Sequence, residues 1–235
     1  MIDEDGSAGG AAGTQGSSQR RSSSARDAAA SERSSAAGKR PYRMRRRAEA
    51  EARTRLRITE SAVALHGTLG PARTSISAIA EHAGVRRSTV YRHFPDEAAL
   101  LGACSAHWIA ANPLPDHERW TAIADVQERL RAALLDLYAH YRRTGQMMEN
   151  LLRDEPVVPI LGELLGGYRA YLESARAALM AGRGLRGARR RLTHAAIGHA
   201  LAFHTWRSLA REQALADREA AALACAMVEA AAKSR

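Results

Sequence analysis

Cysteine is nearly absent from this chain, and its two residues, Cys104 and Cys225, lie far apart with no CxxC pair and no Cys/His cluster. That excludes a disulfide framework and a finger-type zinc site. Lysine occurs only at Lys39 and Lys233, and aromatic residues make up 5% of the chain. No run of 18 uninterrupted apolar residues is present, so no membrane-spanning helix is expected. The N-terminus, MIDEDGSAGG, is acidic and Gly-rich where a secretion signal is basic and then apolar. A soluble, unprocessed, cytoplasmic and nucleoid-associated protein is the expectation. Glu-x-x-His, HExxH, GxSxG and a phosphate-cradling glycine loop are all missing. Hence no catalytic residue, metal ligand or cofactor is assigned, and the chain is not read as an enzyme.

The hydrophobic content is 46% of 235 residues, much of it alanine, which favours helices over strands. An all-α fold follows. The formal net charge is +10, and 13 basic residues against four acidic ones between Arg20 and Arg57 account for most of it. Such a cluster gains affinity for a polyanion by releasing counterions from phosphates. Because these cations are nearly all arginines, they suit bidentate contacts to phosphate and guanine.

Residues 1–42 are Ser, Gly, Ala and charge with little to bury, and their composition predicts a disordered tail. Residues 43–103 and 104–235 read as a smaller and a larger helical domain. Ile58, Ala62 and Leu65 share a helix face that Gly67 and Gly70-Pro71 close. Thr74 is the expected cap of a short helix carrying Ile76, Ile79 and Ala80, and Gly84 ends it. Asp96 is placed to cap a longer helix through Trp108. Beyond Pro115 four apolar stripes predict a bundle: Ile123–Tyr141, Leu161–Leu179, Leu192–Leu209 and Ala220–Val228. Breaks are expected at Thr144-Gly145, Pro156–Pro159, Gly182–Gly187 and Leu215–Asp217, with a separate short piece near Met147–Leu152.

Between Thr74 and Phe94 the spacing meets the needs of a helix-turn-helix: a bracing helix, a tight glycine turn and a short polar helix for the major groove. On that second helix Val90 is the apolar anchor. Arg86, Arg87, Ser88 and Arg92 are left to face bases, while Thr89, Tyr91 and His93 carry donors suited to phosphates.

The run TSISAIAEHAGVRRSTVYRHFPDEAALL resembles the DNA-binding signature of the tetracycline-repressor (TetR) family. The matching positions are Thr74-Ser75, Ile79-Ala80, Ala83-Gly84-Val85, Thr89-Val90-Tyr91, His93-Phe94 and Leu100, with Ile58, Ala62 and Gly70 upstream. The resemblance covers Arg55 to Leu101 and implies phosphate contacts from Thr74, Thr89, Tyr91 and His93, with Phe94 in the core. Two positions depart from it: Glu97 stands where the family usually has lysine, and Ala72 where a larger residue is common. The arginine-rich segment before the first helix is the expected electrostatic compensation. The resemblance further implies a dimer through the last two long helices, placed at Ala188–Arg211 and Asp217–Ala232, and an effector pocket in the larger domain.

Candidate pocket residues are Tyr138, Tyr141, Met147, Met148, Tyr168, His199, Phe203 and Trp206, each of which also reads as ordinary core. The leading reading is a repressor released from a palindromic operator in double-stranded DNA by a small apolar effector. Two others stay open: a sequence-independent nucleoid-type protein, and a helical-bundle enzyme or carrier with a vestigial DNA-binding unit.

Overall fold

The structure is a computed structural model that describes residues 17–234, with side chains from Tyr42 onward. The chain divides into two compact units, Met1–Thr54 and Arg55–Arg235. Helix α1 (Ser17–Thr68) takes in residues 17–42 of the stretch whose composition predicts disorder, and residues 1–16 lie outside the described ones. In the first unit the side chains from Tyr42 to Arg53 are exposed, and Arg45 pairs with Glu49 one turn on, at 3.0 Å.

Within the second unit, the end of α1 packs with α2 (Ile76–His82), α3 (Arg87–His93) and α4 (Glu97–Ala111) on a small core of Ile58, Ala62, Ile79, Val90, Phe94 and Leu100. Ser75, one residue later than expected, caps α2 by accepting from Ala78 N–H at 3.1 Å. The hydroxyl of Thr74 is turned back instead, donating to the Gly70 carbonyl at 2.8 Å. Gly84 has φ +62°, which a Cβ would oppose. Around it Val85 N–H reaches the Ala80 carbonyl and Gly84 N–H that of Glu81, at 2.9 and 3.0 Å. This is a Schellman turn, and it fixes the angle at which α3 leaves α2. Asp96 caps α4 as expected, accepting from Ala99 N–H at 2.7 Å. Glu97, the departure from the family pattern, sits in that first turn, where a carboxylate complements the helix dipole.

The bundle consists of α6 (Val126–Asp154), α8 (Gly166–Met180), α9 (Gly187–Leu201) and α11 (Asp217–Lys233), preceded by the short α5 (Glu118–Thr121) and with α7 (Ile160–Leu164) and α10 (Phe203–Arg207) between its helices. Three expected boundaries differ. First, α6 runs unbroken through Thr144-Gly145 and absorbs the piece near Met147–Leu152. Gly145 is a packing glycine there, since a Cβ would come within 3.1 Å of the Trp206 indole. Second, the stripe Leu161–Leu179 is two helices, α7 and α8. Third, the helix placed at Ala188–Arg211 ends at Leu201: Ala202 is extended, with φ −68° and ψ 138°, α10 starts anew at Phe203, and a π-helical turn follows over Ser208–Glu212. The carbonyls this break leaves without helical donors are capped by tyrosines. Tyr138 donates to Ala200 at 2.9 Å and Tyr141 to Leu201 at 2.8 Å. Asp217 ties α11 down, taking a bidentate pair from Arg142 at 2.6 Å and the Trp206 indole N–H at 3.1 Å.

Candidate nucleic-acid interface and cavity

Helix α3 has two sides. Val90 and Phe94 are buried, whereas Arg86, Arg87, Ser88, Tyr91 and Arg92 are exposed together, with Ser75 at the start of α2 also exposed. Thr89 and Thr74 are half-buried, and His93 is turned inward among the buried residues. On the exposed side Arg87 donates to the Tyr91 hydroxyl at 3.1 Å and lies 5.5 Å from its ring centroid. That pairing, one turn apart, holds both groups in one orientation and raises the guanidinium's pKa. A row of fixed cations and hydroxyls on a short helix is what base edges and phosphates require.

The last turn of α3 is braced from α1. Arg55 stacks over the Phe94 ring at 4.1 Å and donates to the His93 carbonyl, one of the acceptors a helix end leaves open. A second brace comes from the end of α6. Asn150 donates to the carbonyls of His66 and Gly67, both at 2.9 Å, and Arg153 to that of Leu69 at 2.9 Å. Asp154 accepts from Ala72 N–H at 3.0 Å and from Arg153 at 2.7 Å. Ala72 is therefore held through its backbone, without the larger side chain usual in the family. Gly70, with φ +92°, leaves the room: a Cβ there would run into the Arg153 guanidinium and the Asp154 carboxylate.

Beside this brace is a cavity of about 330 Å³, lined from α1, α4, α6, α7 and α8. Its walls are mostly apolar, including Leu101, Trp108, Met147, Leu151 and Leu161. Of the expected pocket residues, Met147, Met148 and Tyr168 line it. Tyr138, Tyr141, Phe203 and Trp206 do not, being fully buried core around the break at Ala202, where Tyr141 meets the Phe203 ring edge-on at 5.4 Å. Tyr168 joins the two regions, its hydroxyl 2.7 Å from that of Tyr141. His199 is exposed, because the break rotates α10 away from the α9 face that His199, Phe203 and Trp206 would share on one helix.

The sequence reading missed His66, Trp108 and His140, which line the cavity. The available signal was weak: a histidine at a helix end, a tryptophan before a proline loop, and a histidine beside a tyrosine stripe. His66 is buried with its Nδ1 3.4 Å from the Cys104 sulfur, so Cys104 has a partner that its spacing did not reveal. Burial holds His66 down at about 4, against the pull of Asp154, and pushes the Cys104 thiol up to about 11. His140 is also lowered, by burial first and then by Arg143. All three are uncharged near neutral pH.

Residues 58–104 match the bacterial regulatory proteins of the tetR family. About three quarters of the chain is similar in fold to solved structures, among them these two. One, from Mesorhizobium loti, is described as a TetR-family transcriptional regulator; it is 22% identical, with a TM-score of 0.55, over 77% of this chain and 96% of that one. The other, from Clostridium perfringens, is described as a fatty acid metabolism regulator; it is 15% identical, with a TM-score of 0.53, over 74% of this chain and 97% of that one. No curated protein matches the chain.

Proposed function

Because its helix-turn-helix segment is that of the tetR family of bacterial regulatory proteins, we propose that this protein represses transcription by binding a palindromic operator as a homodimer and leaves it when a small molecule fills the cavity. The observation that carries the reading is the exposed row Arg86, Arg87, Ser88, Tyr91 and Arg92 on a helix whose other side is locked by Val90, Phe94 and Arg55. Thr74, Ser75 and Thr89 are proposed to complete the contacts from its flanks, whereas His93, turned inward, is left out of that set. Residues 43–103 are assigned to DNA binding and 104–235 to the dimer and most of the effector cavity, whose wall Val63, His66 and Leu101 of the first segment complete. The exposed Arg43, Arg45, Arg46 and Arg47 add phosphate contacts that Glu97 does not make.

Dimerisation is supported by an apolar face on the paired helices α9 and α11. Leu192, Leu223 and Met227 are each more than 40% exposed there, among small residues such as Ala195 and Ala226. Two such faces related by a twofold axis set two recognition helices for successive major grooves, ~34–36 Å apart. An effector acts by favouring a separation that no longer matches that spacing.

The test is selection of bound fragments from a random DNA pool at fixed salt, with wild type, Tyr91→Ala and a form lacking residues 1–47. The expected outcome is a palindromic site for wild type and at least ~100-fold weaker binding for Tyr91→Ala, a loss of about 3 kcal/mol. The truncated form should keep the site but show a shallower salt dependence. Length-dependent binding that ignores sequence and Tyr91 would instead mark a nucleoid-type protein. Ligand turnover with no DNA binding would mark the enzyme or carrier reading.

A further inference from the structure

Resting on the effector reading above, we infer that the cavity takes an uncharged, largely apolar molecule bearing a hydroxyl or carbonyl group, and rejects carboxylates and phosphorylated compounds. Among the described residues no Asp, Glu, Lys or Arg lines its walls. The polar groups that do are neutral: Ser105, Asn112, the Tyr168 hydroxyl, the Cys104 thiol, and two histidines whose burial favours the uncharged ring.

Three arginines on the lining helices α6 and α8 are already engaged. Arg153 is held by Asp154, Asn150 and the Leu69 carbonyl; Arg169 pairs with Glu155 and the Gly162 carbonyl; Arg143 is exposed and donates to Ala139. A carboxylate entering the cavity would lose its water and gain no cation in return, which is strongly unfavourable. Hydroxyls and carbonyls lose far less, and the half-buried Ser105, Asn112 and Tyr168 can pair with them. The cavity of about 330 Å³ bounds the ligand to a compact molecule, too small to take a nucleotide-linked acyl group in full.

Trp108, in the cavity wall, supplies a readout independent of DNA. The experiment titrates the full-length protein with 1-decanol and with decanoate near neutral pH, following tryptophan fluorescence, with Trp108→Phe to identify the source of the signal. Retention of the selected operator is measured in parallel. Decanol is expected to bind at least ~100-fold tighter than decanoate, and Ser105→Arg, which adds a cation to the wall, to narrow that gap at least ~10-fold. Decanoate binding to wild type as tightly as decanol overturns the inference. So does binding of neither probe by a protein that still selects its palindrome, an outcome that leaves the regulator reading intact. Decanol preference in a protein that selects no DNA site leaves the inference standing and removes the regulator reading. The wild-type comparison decides the matter even where Ser105→Arg does not fold.

Discussion

Two neighbouring stripes of α6 are packed by different means. One, with Leu130, Leu134, Tyr138 and Tyr141, is fully buried against α9, α10 and α11, where aromatic rings and tyrosine hydroxyls fill the space around the break at Ala202. The other, with His140, Met147 and Leu151, borders the cavity and meets the end of α1 through polar side chains that hold backbone groups. Both stripes carry apolar residues at helical spacing, so periodicity alone does not separate a filled interface from a hollow one. What separates them is what the facing elements place against them: α10 lays Trp206 against Gly145, whereas Met147 faces the cavity together with Leu161 and Leu164 of α7.

The sharpest test of that contrast is a pair of truncations. Trp206→Ala should cost about 3–5 kcal/mol by emptying a filled site, while Met147→Ala, beside space that already exists, should cost under about 2 kcal/mol. Urea unfolding measures both, and equal costs would erase the distinction. Next in size is Gly70→Ala, on the polar side. Its positive φ and the guanidinium and carboxylate in the way predict a loss of about 2–3 kcal/mol, with operator affinity falling more than the remaining folded fraction explains. An unchanged unfolding midpoint together with full operator affinity would show that the brace carries no constraint.

The smallest effect is in pH. The folded pKa of His66 is depressed to about 4, below its unfolded value, so the stability it contributes is complete above about 6.5 and disappears as pH falls toward 4. Between pH 7 and pH 5 wild type should lose about 2 kcal/mol more than His66→Gln. A parallel pH response of the two proteins would place the acid sensitivity elsewhere.

The helix-turn-helix was legible because its residues answer to requirements a sequence displays: a glycine where φ must be positive, a valine inside a polar helix, an aspartate ahead of α4. Even there the cap fell on Ser75 rather than Thr74, since two adjacent hydroxyls offer the same chemistry and only tertiary packing chooses. The bundle was legible as four long helices and no further. Gly145 looks like a terminator in sequence and is a contact surface in the fold; Ala202 looks like mid-helix and is a break stabilised by tyrosines that cap carbonyls 60 and 62 positions away from them. The cavity escaped because it is defined by what the walls fail to fill, and no single residue records that.

Helix α6 is 29 residues long, a rod of about 43 Å, and Met147 and Asn150 lie on it about 4.5 Å apart along the axis. One group touches the cavity and the other grips the peptide units of His66 and Gly67. No flexible link intervenes, so under the proposed function a ligand that tilts the rod at Met147 applies torque directly to the mount of the helix-turn-helix. On the proposed function, sensing and release share one lever arm, and softening the single turn between Met147 and Asn150 would uncouple them.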